Sequence, residues 1–141
     1  MKNLLLLLIL IPSLTNATTY YVATTGNDAN PGTITSPFRT WARLSTVMVA
    51  GDIAYIRGGT YTSTAGAGAS THCYFTNMNG TASNWITIQN YPGEYPVLDL
   101  SNIGIPTNEN PRGVLVEDCS YLRLKGLRVT GLQQHRGGNG I

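Results

Sequence analysis

The sequence predicts an all-β solenoid, a coil of short parallel strands opened by one capping α-helix. Three observations lead there. The 141 residues include 16 Gly and 8 Tyr but only 11% charged residues, and with abundant Thr, Asn and Ser this mix favours strands joined by tight turns over helices. The apolar alternation comes in pieces of about four or five residues that no helix follows, which argues against a doubly wound α/β sheet. Finally, Gly113-Val114 recurs as Gly140-Ile141 at a spacing of 27 residues, within the range of solenoid repeats.

Residues 1–17 read as a signal peptide. Lys2 is a short positive start, Leu4 to Ile11 an apolar core, Pro12 a break, and Thr15-Asn16-Ala17 a small-residue exit, the pattern of a cleaved export leader. The apolar run falls well short of the roughly 20 residues that span a bilayer. Export to a secreted location, extracellular or periplasmic, is expected, with the mature chain beginning near Thr18 and keeping no membrane segment.

Residues 18–52 hold a strand, a turn and the capping helix. "TTYYVATTG" is β-rich, and "NDANPGT" is dense in turn residues. In "SPFRTWARLSTVMVAGD", Ser36 fits an N-cap and Pro37 the first helical position. Phe38, Trp41, Leu44, Val47 and Met48 make an apolar stripe, and Gly51 is a stop signal. The helix Phe38 to Ala50 is expected to cover the first rung, because a single turn of solenoid cannot bury its own apolar face.

Residues 53–141 supply the rungs. Strands are expected in Ile53 to Tyr61 with a break at Gly58-Gly59, then Trp85 to Gln89, Pro96 to Leu100, Val114 to Glu117, Tyr121 to Lys125 and Leu127 to Thr130. Leu122, Leu124, Leu127 and Val129 should face inward. Arg123, Lys125 and Arg128 alternate with them toward solvent, and Gly126 marks a sharp corner. "GGTYTSTAGAGAS" reads as a small, polar excursion from the coil. "GGNGI" looks like the first corner of a further rung, so the chain is expected to be truncated and marginal or association-prone alone.

Charge excludes little and suggests little. Nine Lys+Arg against seven Asp+Glu give +2, with no basic block for a nucleic-acid backbone. Cys73 and Cys119 would meet an oxidising compartment after export, so they either form a disulfide or remain two buried thiols. "GNDANPG" offers Asp28, Asn27 and Asn30 as oxygen donors but lacks the closing Glu of a calcium loop, and reads as an ordinary turn. His72 and His135 have no partner motif and read as polar loop residues. Of the acids Asp28, Asp52, Glu94, Asp99, Glu109, Glu117 and Asp118, only Glu117-Asp118 is adjacent. Tyr20, Tyr21, Tyr55, Tyr61 and Trp85 are candidate faces for stacking on sugar rings, although stacking within the rungs accounts for them equally. Asn79-Gly80-Thr81 is a glycosylation acceptor pattern in a eukaryotic secretory route.

"YYVATTGNDANPGT", "SPFRTWARLSTVMVAGDIAYIRGGTYT", "ITIQNYPGEYPVLDLS" and "YLRLKGLRVTG" with "GNGI" resemble the amino-terminal part of secreted right-handed parallel β-helix proteins. The closest likeness is to the family 9 pectate lyases and related β-helix repeat proteins, over nearly all of Thr19 to Ile141. The resemblance implies calcium-dependent β-elimination of an acidic plant-type polysaccharide, pectate. A lysine removes the proton beside a carboxylate that calcium, held by clustered aspartates, neutralises. In the family those groups come from later rungs, so no catalytic or metal residue is carried over to this chain. Lys125, the only lysine after the leader, reads as a solvated rung position. The alternative is a non-catalytic exported β-helix that presents a surface or binds glycan.

Overall fold

The computed structural model describes residues 16–63, 73–103 and 112–132. The leader core Leu4 to Ile11, His72, Glu109, His135, Gly140-Ile141 and most of "GGTYTSTAGAGAS" lie outside the described residues.

In chain order the strands are β1 (Thr19–Val22), β2 (Ile53–Ile56), β3 (Gly59–Thr62), β4 (Tyr74–Thr76), β5 (Ile86–Asn90), β6 (Pro96–Asp99), β7 (Leu115–Glu117), β8 (Leu122–Lys125) and β9 (Arg128–Thr130). They wind into a three-faced coil. The first face is β1-β2-β5-β8, the second β3-β6-β9 and the third β4-β7, and every pairing is parallel. Parallel neighbours need a long crossover between them. Here that crossover is the remainder of one turn of the coil rather than a helix.

Rung partners lie 31 residues apart at Val97 and Arg128 and 41 apart at Tyr74 and Leu115. The rungs are therefore longer than the 27-residue repeat read from the sequence. The strands hold register and the corners absorb the difference.

The interior follows the period-two rule. Tyr20, Ala54, Ile88 and Leu124 form one inward column across the first face, and Tyr61, Leu98 and Val129 another across the second. The middle of each column is buried and the last rung is not. Ile88 is 0% exposed but Leu124 38%, and Leu98 is 5% but Val129 40%. Leu122 and Leu127 are half-buried. These residues face inward as expected but do not fill a closed interior, because no described strand pairs on the far side of β8 and β9.

The expected capping α-helix from Phe38 to Ala50 does not form. In its place stands a six-residue 3-10 helix, Trp41–Thr46. Phe38 makes a parallel β-bridge with Val22 instead of starting a helix, and Thr40 rather than Ser36 flanks the first turn. The physical reason is visible in the spacing. Phe38, Trp41, Leu44 and Val47 recur every third residue, which eclipses side chains at three residues per turn and drifts at 3.6. The apolar side chains are still buried, with Phe38 at 2%, Trp41 at 3% and Leu44 at 0% exposure. Ser45 ties the segment to β4 through a hydroxyl donated to the Tyr74 carbonyl at 2.7 Å.

Smaller corrections follow from the backbone. Tyr121 lies outside its strand because its φ is 49°. Strand β4 arises within a stretch where the sequence shows no strand. Gly126 does turn a corner, with φ at 65°, and a Cβ there would lie 2.5 Å from Asn90 Cγ. The Asn90 amide itself closes the neighbouring corner, donating to the Tyr91 and Glu94 carbonyls at 3.2 and 3.0 Å. Among the described residues no helix is long and apolar enough to cross a membrane.

Candidate functional site

The outer side of the first face gathers the chemistry-bearing side chains. Residues pointing away from the core form two columns across four rungs: Thr19, Ile53, Thr87 and Arg123 in one, Tyr21, Tyr55, Gln89 and Lys125 in the other. Trp85 and Tyr121, one residue ahead of β5 and β8, share the same outward parity.

At the amino-terminal end this side is aromatic and ion-paired. Tyr21 stacks on Tyr55 with centroids 5.8 Å apart. Tyr91 leans on both at 6.3 and 5.7 Å, and the Arg57 guanidinium lies 4.6 Å over the Tyr91 ring. Glu94 grips the same guanidinium, accepting from Arg57 Nη2 at 2.8 Å and from Nε at 2.9 and 3.0 Å, and also accepts the Gly58 backbone N–H at 2.5 Å. Hydrogen bonding to Arg57, then to Gly58, holds the Glu94 carboxyl below its ordinary value, and the same bond raises Arg57. Because the folded Glu94 value is depressed, this pair stabilises fully above the unfolded carboxyl value of about 4.3 and loses its contribution as pH falls through the folded value. Solvent reaches both groups, so the gain is at most about 1 kcal/mol. The urea midpoint should therefore fall slightly with Glu94→Gln at pH 7, and that loss should shrink steadily as pH is lowered below the ordinary carboxylate range. An equal loss at every pH would remove the ion pair from the account.

At the other end the same side is aromatic and cationic. Trp85 and Tyr121 meet edge to face, with centroids 5.5 Å apart at 84°. Arg123 Cζ lies 4.9 Å over the Trp85 ring, and Lys125 follows two residues along the strand. Trp85 is 40% and Tyr121 45% exposed. The one ion pair among the described residues is Arg57–Glu94, so Arg123, over the Trp85 ring, and Lys125, in the column of Tyr55 and Gln89, both present positive charge without a salt-bridge partner. The other candidate aromatics are committed elsewhere. Tyr20 stacks on Phe38, and buried Tyr61 packs edge-on to Trp41 and donates its hydroxyl to the Arg57 carbonyl at 2.7 Å.

The carboxylates do not converge. Asp28 accepts the Arg39 and Thr40 backbone N–H groups at 2.8 and 2.9 Å and the Thr40 hydroxyl at 2.7 Å, while Asn27 closes a turn onto the Ala29 N–H. Their oxygens serve the loop. Asp52, 1% exposed, accepts the Thr18 and Val49 N–H groups, both at 2.8 Å. Asp99 is held low by the Ser101 N–H and hydroxyl. Asp118 sits on a bend, with φ at 51°. Among the described residues no three His, Cys, Asp or Glu side chains are placed to hold a metal ion. Calcium would need six to eight oxygens, and this donor set does not fit it.

Cys73 and Cys119 are free thiols in this structure. The β4-β7 register sets them at opposite ends of β4, with Cys73 beside Val114 and Cys119 beside Met78. Cys73 is buried, and desolvation pushes its thiol up to about 12. Cys119 is half-buried and donates Sγ–H to the Phe75 carbonyl at 3.2 Å. A thiol reagent at pH 8 should titrate one cysteine in the native protein and the second only on unfolding, since the thiolate is the nucleophile. No titratable thiol after unfolding without reductant would mean that the two had bridged.

The site as built offers cations and aromatic rings but neither a clustered carboxylate set nor a metal site among the described residues. The family model described as "Pel9A-like, right handed beta helix region" matches residues 20–141. Among solved structures, a rhamnogalacturonan lyase is 31% identical, with a TM-score of 0.63, over 80% of this chain and 28% of its own. The pectate lyase Pel9A is 21% identical, with a TM-score of 0.60, over 82% of this chain and 28% of its own. A GH136 lacto-N-biosidase from Eubacterium ramulus is 20% identical, with a TM-score of 0.58, over 87% and 22% respectively. The last two likenesses establish a shared fold. The chain spans under a third of each of these structures. No curated protein matches the sequence.

Proposed function

The chain belongs to the Pel9A-like right-handed β-helix family, and on that premise we propose that it forms the amino-terminal rungs of an exported polysaccharide lyase acting on an acidic pectic polymer. The observation that carries this reading is the 31% identity to a rhamnogalacturonan lyase over 80% of the chain. The exposed Arg123, Lys125, Trp85 and Tyr121 on one side of the coil are compatible with a polymer carrying carboxylates and ring faces.

Calcium-dependent β-elimination is the reaction such a substrate invites. Abstraction of a proton beside a carboxylate produces a carbanion-like state that needs charge stabilisation. The described residues contain no site for the metal, so no step of that reaction is assigned to them. On this reading the metal and the base are supplied by residues other than the described ones. The test is to assay the natural full-length protein on polygalacturonate and on rhamnogalacturonan, with calcium and with a chelator, following the ultraviolet absorbance of the unsaturated product. Calcium-dependent product from either polymer supports the reading, and no unsaturated product from both overturns it.

A non-catalytic glycan-binding β-helix is the second reading, favoured by the exposed Trp85, Tyr121, Arg123 and Lys125 on one side of the coil. Saccharide binding by a full-length protein that never forms unsaturated product would establish it. Export belongs to either reading, and amino-terminal sequencing of secreted protein should begin at Thr18.

A further inference from the structure

We propose that Trp85, Tyr121, Arg123 and Lys125 form a metal-independent subsite for an anionic sugar ring, separate from the centre that performs chemistry. In a four-rung coil whose only described ion pair is Arg57–Glu94, two cations at alternate positions of β8 face outward without a counter-charge. Beside them stand the two aromatic rings of this side that are most open to solvent. The Arg123 guanidinium lies over the Trp85 ring, 4.9 Å from its centroid, so it is preorganised against Trp85, and a sugar ring has the surface that Arg123 leaves uncovered. A ring stacked against Trp85 or Tyr121 brings its carboxylate within reach of Arg123, whose guanidinium donates two parallel N–H groups to it, and Lys125 supplies a second charge along the strand. Neutral sugars would gain only the stacking.

The identity of the ligand as a uronate rests on the pectic reading; the requirement for negative charge does not. Trp85 is exposed within the strip, so ligand there is read as the part of the full-length protein's tryptophan emission change that depends on Trp85. Adding oligogalacturonate to the full-length protein in excess chelator should change that emission, with affinity falling as salt is raised. Trp85→Phe should reduce the change. The double variant Arg123→Gln/Lys125→Gln should weaken binding about tenfold or more, with its circular dichroism unchanged because both side chains are exposed. Equal affinity for a neutral oligosaccharide of the same length, an unaltered double variant, or no binding under chelation overturns the subsite. Calcium-dependent product formed without chelator-resistant binding removes the subsite and leaves the lyase reading intact; the converse removes the lyase reading alone.

A second inference comes from Asp52, which is independent of that strip. A carboxylate at 1% exposure is costly unless paired, and among the described residues its partners are two neutral N–H groups, those of Thr18 and Val49. Thr18 is the residue at which the leader is expected to be cut. The geometry points to Asp52 as a receptor for the new amino terminus. Hydrolysis of the Ala17–Thr18 amide by a signal peptidase and water leaves a carboxylate on Ala17 and an α-ammonium on Thr18. That nitrogen already lies 2.8 Å from Asp52 Oδ1, and Thr18 is pinned by the Ile53 N–H to its carbonyl at 3.0 Å. Processing thus converts a neutral hydrogen bond into a part-buried ion pair between an exposed amine and a buried carboxylate and tightens the first rung.

This inference rests on cleavage after Ala17, and the two are separable. A chain released from a fusion to begin at Thr18 should melt about 4 °C or more above one beginning at Asn16, which keeps an amide at the same atom. In an Asp52→Asn background the gap should close. Should that variant not fold, chemical acetylation of the Thr18 amine should lower the melt to that of the Asn16 chain. Equal melting of the two unmodified chains overturns the docking, whatever the cell's own cleavage point proves to be.

Discussion

Gly26→Ala should destabilise the protein by more than about 3 kcal/mol, and the chain should fail to give a cooperative melt at its usual temperature. A Cβ at this position would collide with the Phe38 carbonyl oxygen and lie 2.6 Å from Phe38 C and 2.7 Å from the Pro37 oxygen. All of these are backbone atoms, so no rotamer change relieves the clash. The loop would have to lift, breaking the Ala23 N–H to Phe38 carbonyl bond at 2.9 Å and the bridge between Val22 and Phe38. Phe38 would then leave the core, exposing Val22 and Trp41. Urea melts of the purified variant decide the matter, and a midpoint matching wild type would show that residues 26 and 38 are not in contact.

Phe75→Ala should cost about 3–5 kcal/mol, a large share of the 5–15 kcal/mol that a domain of this size typically holds. Phe75 is 0% exposed, and as the central residue of the three-residue strand β4 it is paired with Val116. Its ring lines a cavity that opens at the last rung, shared with Trp41, Val114, Leu124, Leu127 and Val129, so truncation enlarges a space that stiff parallel rungs cannot collapse to fill. Tyr74→Ala on the outward side of the same strand, 43% exposed, is the control and should cost under about 1 kcal/mol. Similar losses at the two positions would contradict the inward assignment of β4.

Much of this architecture is legible in the residues because period-two alternation and corner glycines are local signals. Ile53 to Ile56, Ile86 to Asn90 and Leu122 to Lys125 all announce themselves that way. The elements that escaped are those decided by tertiary contact. The stripe from Phe38 to Val47 recurs every third residue and reads as a helix of either kind over so short a length. That spacing suits three residues per turn, and the bridge of Phe38 to Val22 removes the first turn of the longer helix. Strand β4 lacks alternation because three residues are too few to display it, and it exists through pairing with β7. Tyr121 takes a left-handed φ that no sequence rule assigns to tyrosine, whereas the same geometry at Asn77 and Asp118 suits their side chains. At the candidate site, the outward parity of Arg123 and Lys125 was readable. Their company was not, since Trp85 and Tyr121 lie 36 residues apart and meet only through the register of β5 on β8.

The unequal rungs carry a further consequence. Strand partners keep strict register while the chain between them varies by ten residues, from 31 to 41. The length of a corner is thus set separately from the register of the ladders. A gene encoding such a coil can lengthen, shorten or exchange one corner without disturbing the rung above or below. New surface chemistry then arises by editing the rim, and the stacked interior is inherited unchanged.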